Sequence, residues 1–240
     1  MLLCVKFRLD SFKCEVESCS VFETGYLMIN LNLSNQKLRG KNMSCAQMSG
    51  TNLNGADLRE AILSKANLSS ADLSNTNLVK AKLIKSNLSK ALLSRSNLSG
   101  ADLSYAILKD ADLFQSILID ADLFCADLRN AYLSGANIYS ANLSDADFSG
   151  ADLTFANLSD SDLTYAKFVG TNLSDTDLAD SNLSDADLSG ANLCNANLTR
   201  SNLSYTNLSG ANLAGAVIKK AKFDGSLLTG ATMPDGSIHN

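Results

Sequence analysis

The sequence predicts an all-β fold, a solenoid wound into stacked square coils. Three observations predict it. From Ala46 to Asp235 the chain repeats every five residues without an insertion, through 38 consecutive pentapeptides. The first position of each is small, Ala 26 times, Ser seven and Thr five, while the third is Leu 31 times. A period of five also fits neither the 3.6-residue stripe of a helix nor the alternation of a strand, so the abundance of Leu and Ala does not mean helix.

Two inward positions per five residues, one small and one large, describe a chain that turns a corner every five residues. Four such sides close a square of twenty residues, with Leu stacked on Leu and Ala on Ala in successive coils. The small position must stay small because four sides converge on a narrow interior, where bulk would overpack. Asp or Asn fills the second position in 26 of the 38 repeats, Ser dominates the fourth and Gly is frequent at the fifth. These residues tolerate turns and hydrogen-bond their own backbone. Stacked at a strand spacing of about 4.8 Å, the regular coils make a rod roughly 45 Å long.

The repeats ADLSG, ANLSS, SNLSG and TNLSD resemble the A(D/N)LXX motif of the pentapeptide-repeat family. The resemblance covers residues 46–235 and implies a right-handed quadrilateral β-helix without catalysis; by itself it implies no particular function. The segment from Ala231 to Ser237 is similar to tails of members common in oxygenic photosynthetic bacteria.

In chain order, residues 1–25 precede the repeats. Val5, Phe7, Leu9, Phe12, Cys14 and Val16 alternate there with charged residues, which predicts a β-hairpin or two short strands capping the rod. Residues 26–45 read as a degenerate first coil. Met28, Leu33, Leu38 and Met43 keep the large position, but Tyr26, Leu31, Gln36 and Lys41 break the small one. Residues 46–235 form the regular β-helix. Pro234 ends the pairing, and residues 236–240 form a tail expected to fold back over Phe223 and Leu228. The alternative is end-to-end homodimerisation, which the resemblance allows.

Composition narrows the function. The only histidine is His239, and no Ser has a His or Lys partner to serve as base, so no enzyme, cofactor or metal site is expected. Carboxylates are plentiful but lie on a convex rod with no loop long enough to build a cleft. A Ca²⁺-binding β-roll would need nonapeptide repeats. No run of about 18 apolar residues is present, so membrane insertion is not expected. The first eight residues carry charge inside their apolar run and lack a cleavage site, which points to the cytoplasm. The six cysteines form no CxxC pair and are expected to be reduced there.

Any function therefore falls to the outer positions. Residues 1–100 carry 13 Lys/Arg against 7 acids, and residues 101–215 carry 4 against 16, so the rod is dipolar along its axis. Lys80, Lys82, Lys85, Lys90 and Arg95 form a basic collar, but it lacks interleaved aromatics and direct nucleic-acid binding is not expected. Family members of the quinolone-resistance type are acidic rods that imitate duplex DNA and engage type II topoisomerase (gyrase). The acids here spread over all four sides, which weakens that alternative. Ile107, Phe114, Ile117, Ile119, Phe124, Tyr132 and Tyr139 occupy outer positions around the middle of the rod. Tyr105, Tyr165 and Tyr205 share one edge with Cys125, Asp145 and Asp185 at steps of twenty. These ten residues are the candidate partner-binding set, since outward apolar clusters and tyrosines mark contact sites. The expected role is a non-catalytic scaffold that binds an unidentified protein; a purely structural rod is the third reading.

Overall fold

The computed structural model describes residues 27–240; the expected N-terminal cap lies outside them. Every second-position residue from Leu27 to Asn212 forms a parallel bridge with the residue twenty positions later, beginning with Leu27–Gln47 and ending with Asn212–Thr232. One coil is thus four pentapeptides. We number the faces from the repeat at Ala46: residues 46–50 lie on face 1, 51–55 on face 2, 56–60 on face 3 and 61–65 on face 4, and each recurs every twenty residues. Residues 27–45 wind with the same five-residue pattern.

The backbone explains the period. In a mid-rod repeat such as 121–125, the second-position amide of Asp122 donates to Ala101 O in the coil below (2.9 Å). The third- and fifth-position amides of Leu123 and Cys125 donate to Asn142 O and Ser144 O in the coil above (2.7 and 3.0 Å). The corner is closed by the next first-position amide, Ala126, which donates to Leu123 O (2.9 Å). That bond spans a four-residue turn whose third residue is the fifth position, and this residue takes a positive φ around the whole rod, from 53° at Asn30 to 72° at Gly230. A turn with a left-handed third residue is the type II pattern, which accounts for the recurrent Gly and Asn there.

The fourth-position amide is left without a backbone acceptor, and the second-position side chain supplies one. Asp147 Oδ1 accepts from the Ser149 amide at 2.9 Å, and Asp152 Oδ1 from the Thr154 amide at 3.0 Å. This Asx contact is the reason Asp and Asn rule the second position. Their outer ends then pair between coils, as where Asn142 Nδ2 donates to Asp122 Oδ1 (2.9 Å).

The interior is a stack of third-position Leu side chains, fully buried from Leu53 to Leu213, with first-position residues filling the corners. Phe148 and Phe168 replace Leu in successive coils and stack with centroids 5.0 Å apart. Most buried hydroxyls at the small position donate to a third-position carbonyl, such as Thr171 Oγ1 to Phe148 O (2.7 Å) or Ser96 Oγ to Leu93 O (2.7 Å). At the far end the tail turns back antiparallel, with Ile238 bridging Thr232. Its hydrogen bonds run to Gly230, Ala231 and Met233, while Phe223 and Leu228 stay half-buried. Among the described residues, no helix is long and apolar enough to cross a membrane.

Candidate interaction surface

Outward side chains project from the second, fourth and fifth positions. Where the second position keeps its Asx contact, the fourth-position residue is held by it: Asp112 accepts from the Phe114 amide (2.9 Å), Asp122 from Phe124 (3.0 Å) and Asn137 from Tyr139 (3.3 Å). Where the second position is Leu92, Ile107, Ile117 or Tyr132, no side-chain acceptor is available and an apolar group is exposed instead. These are the places where the sequence gives up a local hydrogen bond for an outward apolar surface.

The mid-rod candidates do not share one face. Face 2 carries Leu92, Phe114 and Tyr132, with the rings of Phe114 and Tyr132 stacked at 5.7 Å and 13°. Face 3 carries Ile117, Ile119 and Tyr139. Asp160 hydrogen-bonds the Tyr139 hydroxyl and raises its pKa, with Asp120 adding repulsion. Between these faces, at the corner formed by fifth positions, stands Phe155, 68% exposed, one coil above Gly135. Faces 2 and 3 thus carry apolar side chains on both sides of one corner, whose fifth positions are Arg95, Gln115, Gly135 and Phe155. Ile107 lies apart on face 1, and Phe124 lies on face 4, half-buried beneath the edge of Tyr105 (centroids 5.4 Å, 87°).

Tyr105, Tyr165 and Tyr205 occupy the opposite corner, between faces 4 and 1, and all three are exposed. Lys85, one coil below, holds its Nζ 5.4 Å from the Tyr105 ring centre. Each tyrosine has φ near +60°, as does Phe155. A bulky side chain in that conformation costs on the order of 1 kcal/mol relative to Gly or Asn, and such strain gathers at functional positions.

Sequence reasoning missed Leu92, Phe155 and Val169, all exposed. The signal for Phe155 was present, since an aromatic stood at a position where Gly and Asp are the commonest residues.

The basic collar wraps the rod, with Lys80, Lys85, Lys90 and Arg95 at four successive corners and Lys82 on face 4. Ion pairs among the described residues join Arg39 to Glu60, Arg59 to Asp57, Arg129 to Asp127 and Arg200 to Asp180, so the collar is spent on none of these. The described residues hold no cluster of three or more metal-ligating side chains. Cys125 and Cys194 are free thiols, and burial pushes the Cys125 thiol pKa up, with Asp145 adding to it. Cys45 is disulfide-bonded, which corrects the expectation of reduced cysteines throughout.

Comparison with known proteins places this architecture. The sequence pattern described as pentapeptide repeats matches in eight copies, over residues 28–64, 42–78, 81–118, 116–154, 156–195 and 192–230. Among solved structures, HetL of the cyanobacterium Nostoc sp. strain PCC 7120, a pentapeptide repeat protein involved in heterocyst differentiation regulation, is 33% identical. That alignment covers 88% of this chain and 92% of HetL, with a TM-score of 0.56. Rfr23 of the cyanobacterium Cyanothece 51142 is 39% identical over 42% of this chain and 58% of its own, with a TM-score of 0.26. The fluoroquinolone resistance protein QnrB1 is 18% identical over 85% of this chain and 90% of its own, with a TM-score of 0.37. No curated protein matches. The uninterrupted coils, the Asx-capped corners and the matched repeats together make this chain a member of the pentapeptide-repeat family, with the family's right-handed quadrilateral β-helix.

Proposed function

We propose that this chain is a non-catalytic scaffold that binds a protein partner through the apolar side chains around the corner of faces 2 and 3. The observation that carries this reading is the concentration of Leu92, Phe114, Ile117, Ile119, Tyr132, Tyr139 and Phe155 on two adjacent faces in mid-rod. Elsewhere on the regular coils the outward positions are mostly Asn, Asp, Ser and Gly. An exposed apolar cluster on a rigid support, rimmed by polar residues, is the usual form of a protein contact site. Rigidity favours the same reading, since a preformed surface loses little entropy on binding. Among the described residues the outward carboxylates and hydroxyls stand on the sides of a convex rod, which supports a non-catalytic reading. The involvement of HetL in regulation is consistent with a regulatory role exerted by binding.

Affinity capture from the native lysate tests this. The wild-type rod is expected to retain a specific protein that the Phe114→Ser, Ile117→Ser, Ile119→Ser variant does not retain. These side chains point outward, so the variant keeps its fold and its β-type circular dichroism. Equal retention by a folded variant removes this surface as the site.

A further inference from the structure

The opposite corner has a chemistry of its own. Along its fifth positions stand Tyr105, Cys125, Asp145, Tyr165, Asp185, Tyr205 and Gly225, one per coil. Tyr105 already carries a cation, the Lys85 ammonium over its ring, which shows the geometry that this edge imposes on a basic group. No such contact is formed by Tyr165 or Tyr205 among the described residues, and they stand 59% and 68% exposed. Tyr205 is also held in place. Its ring lies against Gly225, where an added Cβ would meet the ring carbons at 2.7 and 2.8 Å. Asp145 and Asp185 alternate with the rings, and Asp162 on face 4 is exposed beside them. Lys167 on face 1 and Lys222 on face 4, in the coil above Tyr205, are the neighbouring cations.

We infer that this edge docks an extended, basic segment of a partner protein, with Lys or Arg at every third residue. The inference rests on the reading of the rod as a protein-binding scaffold and adds the partner's chemistry at a second surface. The acidic half of the rod draws a cationic segment, and the alternation of ring and carboxylate gives each cation a π-face with a counter-charge beside it. The spacing selects the segment's conformation. Tyr165 and Tyr205 are two coils apart, about 9.6 Å at strand spacing. A polyproline II helix advances about 9.3 Å over three residues, so cations at i and i+3 fall on both rings. In a β-strand, residues three apart point to opposite sides, and residues two apart advance only about 6.7 Å.

The test uses fluorescein-labelled peptides of one composition in two orders, four Arg-Pro-Pro units against four contiguous arginines followed by eight prolines. Binding is followed by anisotropy with the whole chain at low and at physiological salt. The spaced peptide is expected to bind more tightly than the clustered one and to weaken with salt. Tyr165→Ser combined with Tyr205→Ser lowers its affinity about tenfold, two exposed cation–π contacts being lost. Asp185→Lys lowers it as well, and Tyr165→Ser alone gives a smaller loss in a position where no packing is disturbed. The Phe114→Ser, Ile117→Ser, Ile119→Ser variant is expected to bind the peptide normally, so the two surfaces fail separately. The inference is overturned by absent binding at low salt, by equal binding of the two peptides, or by tyrosine variants that bind as well as wild type.

Discussion

Ser86 is the one described side chain whose buried polar atom has no hydrogen-bond partner, and it sits at a first position where Ala is the rule. A hydroxyl buried without a partner costs about 1–3 kcal/mol, so Ser86→Ala is expected to stabilise the rod and raise its Tm by about 2–12 °C. Thr171 has the opposite expectation at the same type of position. Its hydroxyl donates to Phe148 O, and Thr171→Ala loses about 1 kcal/mol of that bond. A pair of thermal melts separates the two signs. At the third position, Leu143 is fully buried, and Leu143→Ala is expected to cost about 2–5 kcal/mol, read by urea titration. Asp57 gives the acid limb. The Arg59 guanidinium, bonded to it through both carboxylate oxygens, holds its pKa down at about 2. The stability that this pair contributes is present above the ordinary carboxylate range and is lost as pH falls towards 2. The Tm difference between wild type and Arg59→Gln is therefore expected at pH 6 and to vanish near pH 2. The small and large positions were legible in the sequence because sterics alone sets them. The reason for Asp and Asn at the second position was legible only as turn preference, because the specific acceptor role, towards the fourth-position amide, needs the backbone path.

At the scale of the coil, the bridges of each pentapeptide run only to those twenty residues before and after it, so stability is passed between neighbouring coils. An end coil then depends on what closes it. Residues 236–240 share four backbone bonds with the final coil: Gly230 N to His239 O, Met233 N to Ser237 O, Gly236 N to Met233 O and His239 N to Ala231 O. Removal of residues 236–240 is expected to raise amide exchange at Gly230 and Met233 while mid-rod amides such as Leu123 keep their protection. Uniform loss of protection would mean that the rod melts as one unit and the tail acts globally. From Pro234 and the apolar Ile238 the sequence led to the expectation of a tail folded back over Phe223 and Leu228, both of which are half-buried. Backbone pairing with Thr232 decides its course, and that pairing leaves no periodic trace. The apolar surface was also only partly legible. Reading outward residues along the chain collected Ile107 and Phe124 with the rest, whereas lateral neighbours in a coil of twenty are found by stepping twenty. That step brings Phe155 and Leu92 to faces 2 and 3 and sends Ile107 and Phe124 elsewhere.

For the whole molecule, the question is what the acidic half imitates, if anything. Duplex DNA presents its charge as two continuous phosphate rows, and a rod that copies it needs acids gathered in comparable stripes. The sixteen acids of residues 101–215 fall four, three, four and five on faces 1 to 4. Many are also engaged within the rod. Asp112, Asp122, Asp147, Asp152, Asp177 and Asp187 each accept a fourth-position amide, which is a structural duty that Asn performs equally well elsewhere. Arg129 and Arg200 neutralise Asp127 and Asp180 in addition. What remains outward and uncommitted is a scattering of corner carboxylates, a field suited to drawing a cationic segment to one edge and unsuited to filling a DNA-binding groove. The expected outcome with a bacterial type II topoisomerase is unchanged DNA supercoiling at micromolar rod. Inhibition that Asp145→Lys and Asp185→Lys together abolish would assign the acidic edge to DNA mimicry, whereas unchanged supercoiling alongside binding of the spaced arginine peptide assigns it to a protein segment.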